Sequence, residues 1–366
     1  MQAPAAATHD AYLARRTFAS LDGLRCFSIA TVVWHHSEVP ALVHTWWPAA
    51  RFGFLGVDLF FAISGFLIVT LLLRERDRKG EISLKNFYIR RSLRILPVYY
   101  GVLAALALLF LVLRRGTPAS HEFAGDLPFL VLYLTNWIPA HGWLEITWSL
   151  AAEEQFYLVW PPIETWLRKW ALPILVTVIV LSQVIQLGLV DPLLQRAFGW
   201  SPDEPRMLRQ TTFTPICFGV LLAHALHRPA GYAKVLRLLG ARWVAPALLL
   251  ALVVYSNLLP GEIRGAWRLG VHVLMLGLLA ACIVREDHGL QRLLTWAPIA
   301  RIGALSYGIY LLHQICLTVA QKVLGKVGLA HPLPDFILGF AFVWIAAELS
   351  YRHYESRFLK LKDRFA

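Results

Sequence analysis

The stretch "SLDGLRCFSIATVVWHHSE" (20–38) is an apolar run that carries two charged residues near its start and two histidines at its end. Ionisable side chains are costly in helices that lie in lipid, and there they indicate a pathway or a reaction site. At about 100° per residue, the eleven steps from Arg25 to His36 return to the same helix face, about 16 Å further along. Asp22 is predicted to cap this helix and to pair with Arg25. A simpler interpretation, an anchoring arginine and an interfacial histidine, stays open.

The rest of the chain has the same apolar character, since 57% of its 366 residues are hydrophobic and only 16% are charged. Runs of about 20 apolar residues, enough to cross the hydrocarbon layer, recur throughout. The stretch 127–137 is too short to cross and is predicted to be re-entrant or interfacial. The sequence predicts an all-α, polytopic transmembrane helix bundle, one domain over 1–366 with no fused soluble domain. About ten spans are predicted, at 26–43, 54–73, 95–113, 148–167, 171–190, 211–227, 243–260, 269–284, 299–321 and 335–351.

The distribution of positive charge orients this bundle. More than two thirds of the Lys and Arg residues fall on the side of the two termini, which the positive-inside rule makes cytoplasmic. The same rule explains the net charge of +12, so no nucleic-acid partner is predicted. The N-terminus lacks the pattern of a cleaved signal peptide, and the chain is predicted to be a multi-pass protein of the inner (cytoplasmic) membrane. The four cysteines lack metal-ligand spacing, so free thiols and no metal are expected.

Further ionisable residues recur in the outer halves of other spans. In "GVDLFFAISGFLI" (56–68), Asp58 needs a partner within the bundle, and His36 is the predicted one. Ser64 lies deeper in the same span and is a weaker candidate. The glycines nearby are predicted to let helix backbones approach closely; they are Gly53, Gly56 and Gly65.

Two more spans add polar side chains. "TWSLAAEEQFYLVWPP" (147–162) places Glu153 in the outer half of one span, on the same helix face as Tyr157. "SYGIYLLH" (306–313) places Tyr310 and His313 together on one face of a second span. A solvated rim for the glutamate and interhelical hydrogen bonds for the other two are the structural alternatives.

The opposite, cytoplasmic side carries an arginine cluster within "ISLKNFYIRRSLRILPVYY" (82–100). Guanidinium groups bind phosphates in a bidentate fork, so Arg90, Arg91 and Arg94 suit a polyphosphate ligand. A positive-inside cluster would look the same. The layout as a whole suits a phosphate-bearing donor inside the cell and an acceptor that loses a proton outside.

These motifs together resemble a known family. "LDGLR" with a histidine ten residues beyond its arginine, "GVDLFFAISGFLI", "FYIRRSLRILPVYY", "WSLAAEEQFYLVWP" and "SYGIYLLH" are similar, in content and order, to the signatures of the acyltransferase-3 family of integral membrane acyltransferases. The resemblance implies transfer of an acyl group, usually acetyl from acetyl-CoA, to a hydroxyl of a sugar or other envelope or exported acceptor. Its motif residues correspond here to Arg25, His36, Arg91, Arg94, Glu153 and His313.

The hypothesis that follows is an acyl-CoA-dependent O-acetyltransferase with a carbohydrate or glycolipid acceptor, embedded in the lipid bilayer. Arginines at 25, 91 and 94 would bind the CoA phosphates, and His36 would act as general base or carry the acyl group itself. Asp58 or Glu153 would orient that histidine, with Ser64 or Tyr310 as a relay. A transporter or flippase, and an acyltransferase acting on a small molecule at the cytoplasmic side, remain the alternatives.

Overall fold

The structure, a computed structural model, describes residues 8–199, 212–261 and 263–365. Within these ranges the secondary structure is helical and contains no strand, as the sequence predicts. The described residues divide into two compact units that interleave along the chain. Unit 1 comprises 8–82, 169–190 and 212–306, and unit 2 comprises 83–168, 191–199 and 307–365.

Unit 1 is built around a long helix that contains much of the "GVDLFFAISGFLI" motif. Its helices in chain order are α1 (His9–Ala14), α2 (Ser20–His35), α3 (Val39–Val43), a 3-10 helix (Pro48–Leu55), α4 (Gly56–Lys79), α8 (Ala171–Gln186), α10 (Thr214–His227), α11 (Pro229–Leu239), α12 (Val244–Leu258), α13 (Gly265–Val284), α14 (Gln291–Leu294) and α15 (Ala297–Ala304).

Unit 2 contains the remaining helices. They are α5 (Leu84–Ala107) with its π-helical continuation Leu108–Leu113, α6 (Pro118–Val131), a 3-10 turn (Gly142–Leu144), α7 (Thr147–Trp166), α9 (Asp191–Phe198), α16 (Ser306–Lys326), α17 (Pro332–Ser350), the π-helical turn Tyr351–Glu355, α18 (Ser356–Lys362) and a final 3-10 turn (Asp363–Phe365).

Close backbone contacts hold α4 and the 3-10 helix before it in unit 1. A Cβ atom at Gly53 would meet the carbonyl oxygen of Thr31, and one at Gly56 would meet that of Ser28, so both glycines bring their backbone against α2. A Cβ atom at Gly65 would meet the carbonyl oxygen of Ile216 on α10. The predicted close approach at all three glycines is confirmed. These contacts fix which face of α4 meets which neighbour.

The first predicted span, 26–43, is not one helix. α2 ends at His35, and His36 forms its C-cap with φ −84° and ψ 1°. The Ser37 hydroxyl donates to the Trp34 carbonyl at 2.7 Å and accepts from the Val39 amide at 3.3 Å, so one side chain links the end of α2 to the start of α3. The prediction of one continuous helix is wrong here. The sequence stays apolar beyond His35, whereas the local hydrogen bonds of the Ser37 side chain end the helix.

The apolar stretch 127–137 also breaks. α6 ends at Val131, and the chain turns at Tyr133, whose φ of 52° lies in the left-handed region. The Gln155 side chain on α7 donates to the Tyr133 carbonyl at 2.8 Å and accepts from Asn136 at 3.0 Å. Because its backbone leaves the helix so early, this stretch does not form a single crossing helix.

Four helices among the described residues are long and apolar enough to cross a membrane, or up to seven spans if each of three bent helix pairs counts as one. The four are Pro48–Lys79, Leu84–Leu113, Gly265–Val284 and Pro332–Lys362. The polytopic, all-helical prediction holds at this level. Ten spans and cytoplasmic termini stay predictions.

Candidate active site

Helix α2 of unit 1 carries Arg25, and His36 is its C-cap. Arg25 Nη1 donates to Asp22 Oδ1 at 2.8 Å, so the predicted pair forms. Asp22 does not cap the helix, because α2 begins at Ser20 and places Asp22 inside its first turn. The half-buried ring of His36 lies with its centroid 5.1 Å from that of His35. α2 thus sets its arginine and its terminal histidine about 16 Å apart along one helix.

Asp58 on α4 has partners that the sequence did not predict. Arg268 of α13 donates to both of its carboxylate oxygens, from Nε at 3.1 Å and from Nη2 at 2.9 Å. His272 Nε2 lies 2.9 Å from the same carboxylate, and all three side chains are buried. The predicted pairing of Asp58 with His36 is therefore wrong.

The reason is the direction in which the carboxylate points. Gly56 packs against α2, and two further residues rotate the helix by about 200°, so Asp58 faces away from α2. Arg268 and His272 stand four residues apart in an otherwise apolar helix, a spacing that could have indicated a buried polar face. Ser64 on α4 is half-buried and hydrogen-bonds to none of the described residues.

In unit 2, Arg91 of α5 lies against two carboxylates of α7. Its guanidinium is 3.8 Å from Glu153 Oε1 and 3.9 Å from Glu154 Oε1, and it lies 3.6 Å above the centre of the Tyr157 ring. The Tyr157 hydroxyl donates a hydrogen bond to Glu153. This arrangement, one cation held by two anions and an aromatic face, fixes Glu153 from two sides.

The contact corrects the predicted layout, in which Arg91 and Glu153 lay on opposite sides of the membrane. The hydropathy pattern started the third span at residue 95, whereas α5 begins at Leu84, so Arg91 already lies in its second turn. Glu153 likewise lies in the second turn of α7, which begins at Thr147. Both charges are inside the packed helices.

The other two arginines of the predicted cluster point elsewhere. Arg90 Nη1 donates to the Phe365 carbonyl at 2.6 Å near the end of the described chain. Arg94 is exposed. Arg94 stands four residues after Arg90 and three after Arg91, so its position on α5 neighbours both. Phosphate binding by these arginines stays a prediction.

The two polar residues predicted on α16, Tyr310 and His313, are buried and held by hydrogen bonds. The Tyr310 hydroxyl donates to the Ile146 carbonyl at 2.9 Å and lies 2.7 Å from Ser149 Oγ. His313 Nδ1 lies 2.6 Å from the Tyr310 carbonyl oxygen. Because a carbonyl can only accept, Nδ1 carries the proton, and Nε2 of the neutral ring holds the lone pair. In this tautomer Nε2 is the ring nitrogen that can take a proton.

Metal chemistry has no obvious site in the described part of the chain. No group of three or more histidine, cysteine, aspartate or glutamate side chains is placed there to hold a metal ion. The four cysteines are free thiols, and three of them are buried.

Comparison with known proteins identifies a family and several relatives. A family described as "Acyltransferase domain" matches residues 18–351. The chain is 30% identical to "Peptidoglycan O-acetyltransferase OatA" of Listeria monocytogenes, over 93% of this chain and 56% of that protein. It is 28% identical to "Putative peptidoglycan O-acetyltransferase YrhL" of Bacillus subtilis, over 93% of this chain and 54% of that protein. The chain spans little more than half the length of these relatives. No solved structure matches it.

Proposed function

Because the chain belongs to the acyltransferase family whose domain matches residues 18–351, we propose that it is a membrane O-acetyltransferase acting on a cell-envelope or exported glycan. The observation that carries this proposal is the extent of the match. It spans nearly all of the described helices, and the relatives aligned over the same residues are named as O-acetyltransferases. The polar side chains that converge within each unit supply the chemistry that acetyl transfer needs.

The proposed reaction moves an acetyl group from acetyl-CoA to a sugar hydroxyl. The hydroxyl oxygen forms an ester bond to the acetyl carbon, and the carbon–sulfur bond of the thioester breaks. A histidine takes the hydroxyl proton and passes it to the departing thiolate of CoA. His36 is our first assignment for this base, and its alternative role is to carry the acetyl group between donor and acceptor.

His313 is a second candidate for proton transfer. Its protonated Nδ1 is held by the Tyr310 carbonyl, which leaves the Nε2 lone pair oriented by the protein rather than by solvent. Tyr310 is itself fixed by two hydrogen bonds, so we assign it to positioning this ring. Glu153 would stabilise positive charge on a histidine during the reaction, as a carboxylate does in a catalytic triad.

The arginines divide into two roles in this proposal. Arg91 already faces two carboxylates, and we assign it to holding Glu153 in place. Arg90 and Arg94 of α5 are candidates for the CoA phosphates, and Arg25 of α2 is a separate candidate. Asp58 is assigned a structural role, since Arg268 and His272 occupy its carboxylate.

The proposed setting is the inner (cytoplasmic) membrane, with ten spans and both termini in the cytoplasm. The excess of Lys and Arg on the terminal side supports that orientation. The donor would enter from the cytoplasm and the acceptor hydroxyl from the other side.

The test is the ester-linked acetyl content of surface glycans, measured by mass spectrometry in a deletion strain. The strain would carry the wild-type chain, His36→Ala or, as a matched control, His44→Ala, which changes an exposed histidine at the end of α3. We expect the wild type and His44→Ala to restore the esters and His36→Ala to fail at equal membrane levels. Equal restoration by all three would refute the role of His36.

Isotope-labelled acetyl-CoA supplied to inverted membrane vesicles tests the donor. Label in a glycan product supports acetyl transfer from the cytoplasmic face. Label in no product, with glycan export lost in the deletion strain, would support the transporter alternative. Label in a soluble small molecule would support the cytoplasmic acyltransferase alternative.

A further inference from the structure

Unit 2 contains a cavity that none of the residues discussed so far lines. Its volume is about 240 Å³, and it lies where the π-helical end of α5, the first half of α6 and the 3-10 turn before α7 come together. It opens to the surface, since the His141 side chain on its rim is 64% exposed. The side chains that give it chemical character are Phe110, Arg114, Glu122, Asp126, His141 and Trp143.

A buried carboxylate holds the histidine at the rim. Asp126 accepts from the His141 backbone amide at 2.7 Å and from Nδ1 at 3.0 Å. Because the carboxylate accepts, Nδ1 carries the ring proton and Nε2 of the neutral ring has a lone pair. Nε2 makes no hydrogen bond to any of the described residues. The hydrogen bond and charge of Asp126, helped by Glu122 and Glu145, raise the pKa of His141 above its ordinary value.

An aromatic surface forms another part of the lining. The Trp143 indole Nε1 donates to Thr318 Oγ1 at 3.0 Å, which fixes the plane of the ring. Its centroid lies 5.8 Å from that of Phe110, which stacks on Phe123 at 5.3 Å. These contacts hold the Trp143 ring in place beside charged groups.

We propose that this cavity binds one sugar ring of the acceptor glycan, an inference that rests on the proposed function. A pyranose has an apolar face that can lie on Trp143 and hydroxyls that both donate and accept. Arg114 offers donors, Glu122 offers acceptors, and His141 offers either, depending on its protonation. These groups match the donors and acceptors of a neutral polyhydroxylated ligand.

Other ligand classes fit less well. Two carboxylates against one arginine disfavour the phosphates of a CoA donor, and three formal charges in the lining disfavour an acyl chain. The volume is below the roughly 300–1,000 Å³ of pockets that enclose drug-sized ligands, which suits a single ring of a longer chain that continues outside. The connection between residues 114 and 147 is also predicted to lie on the outer side of the membrane, where an exported glycan would be.

The experiment measures binding of one defined probe to the purified full chain in lipid nanodiscs. The probe is the neutral disaccharide of two N-acetylglucosamine units, and its binding is followed by saturation-transfer NMR. We expect Trp143→Ala to weaken binding about tenfold, or about 1.4 kcal/mol, and His141→Gln to weaken it about threefold. Trp143→Phe, which keeps an aromatic face, should retain most of the affinity. Trp166→Ala removes a tryptophan that is 73% exposed at the end of α7 and should bind as the wild type does.

The inference is overturned if the wild type does not bind the disaccharide, or if Trp143→Ala binds as tightly as Trp166→Ala. Loss of fold by Trp143→Ala is recognised by comparison with Trp143→Phe and His141→Gln, which must then carry the test.

Transfer of labelled acetyl to the same disaccharide separates this inference from the proposed function. With both correct, Trp143→Ala raises the acceptor KM about tenfold with kcat unchanged, whereas His36→Ala loses turnover but keeps disaccharide binding. Binding by the wild type without acetyl transfer would support the site and refute the proposed function for this acceptor. Transfer with an unchanged KM in Trp143→Ala would refute the site and leave the function standing.

Discussion

Removing the arginine from the buried pair Asp58–Arg268 is predicted to destabilise the protein strongly, and removing both partners is predicted to restore most of the loss. The perturbation is Arg268→Met, which keeps a long side chain but leaves the Asp58 carboxylate with only His272 beside it. The companion variant is Asp58→Leu combined with Arg268→Met, which replaces both charges by apolar groups.

The magnitude follows from burial. The side chains of Asp58 and Arg268 are 1% and 8% exposed, and two hydrogen bonds join them. Breaking a buried ion pair from one side costs about 3–5 kcal/mol, because the remaining charge stays buried without its partner. Replacing both members by apolar residues is often neutral, since the cost of removing two charges from water disappears with them.

The assay is the free energy of unfolding in mixed micelles, from an SDS titration followed by tryptophan fluorescence. The matched control is Arg352→Met, which breaks an i,i+4 pair with Glu348 whose arginine is 68% exposed and should cost less than about 1 kcal/mol. The reasoning is refuted if Arg268→Met costs no more than this control. It is refuted as well if the double variant is as unstable as the single one.

Three other expectations address packing, the carboxylate pair and pH. Gly65→Ala places a methyl group against the Ile216 carbonyl and should cost about 1–3 kcal/mol in the same titration, whereas Gly125→Ala, in open space on α6, should cost nothing. Tyr157→Phe removes the hydrogen bond to Glu153 but keeps the ring under Arg91, and kcat for acetyl transfer should fall about tenfold, about 1.4 kcal/mol; an unchanged kcat would separate Glu153 from catalysis. Burial lowers the pKa of His288 to about 4, so its contribution to stability is complete above about pH 6.5 and is lost as the pH falls toward 4. His288→Gln should flatten the pH dependence of unfolding in that window, and an equally steep profile would contradict this assignment.

Contacts close in sequence were predictable. The pair Asp22–Arg25 forms because three residues on a helix bring the two side chains to neighbouring positions, whatever the rest of the chain does. The glycine contacts of α4 could be anticipated for a similar reason: small residues in an apolar helix mark where another backbone lies. In neither case did the sequence have to identify the partner helix.

Contacts distant in sequence were not predictable. Asp58 meets residues more than 200 positions away, and hydrophobic periodicity gives each helix an apolar face without saying which helix covers it. Arg91 and Glu153 were placed apart because charged residues lowered the hydropathy of a turn that is helical and packed. A helical turn that contains a buried charged residue has the composition of a loop. The sequence alone does not distinguish the two until the residue that pairs with this charge is known.

The separation of Asp58 from Arg268 along the chain also has a consequence for biosynthesis. α4 leaves the ribosome 210 residues before the arginine of α13 does, and at about 5–20 residues per second that interval lasts about 10–40 s. An unpaired aspartate at the centre of a span costs about 2.5–3.5 kcal/mol on insertion scales, and Asp58, in the first turn of α4, is expected to cost a part of that. We therefore expect α4 to wait beside water or the insertion machinery, and a nascent chain halted before α13 to be a preferred substrate for membrane quality-control proteases.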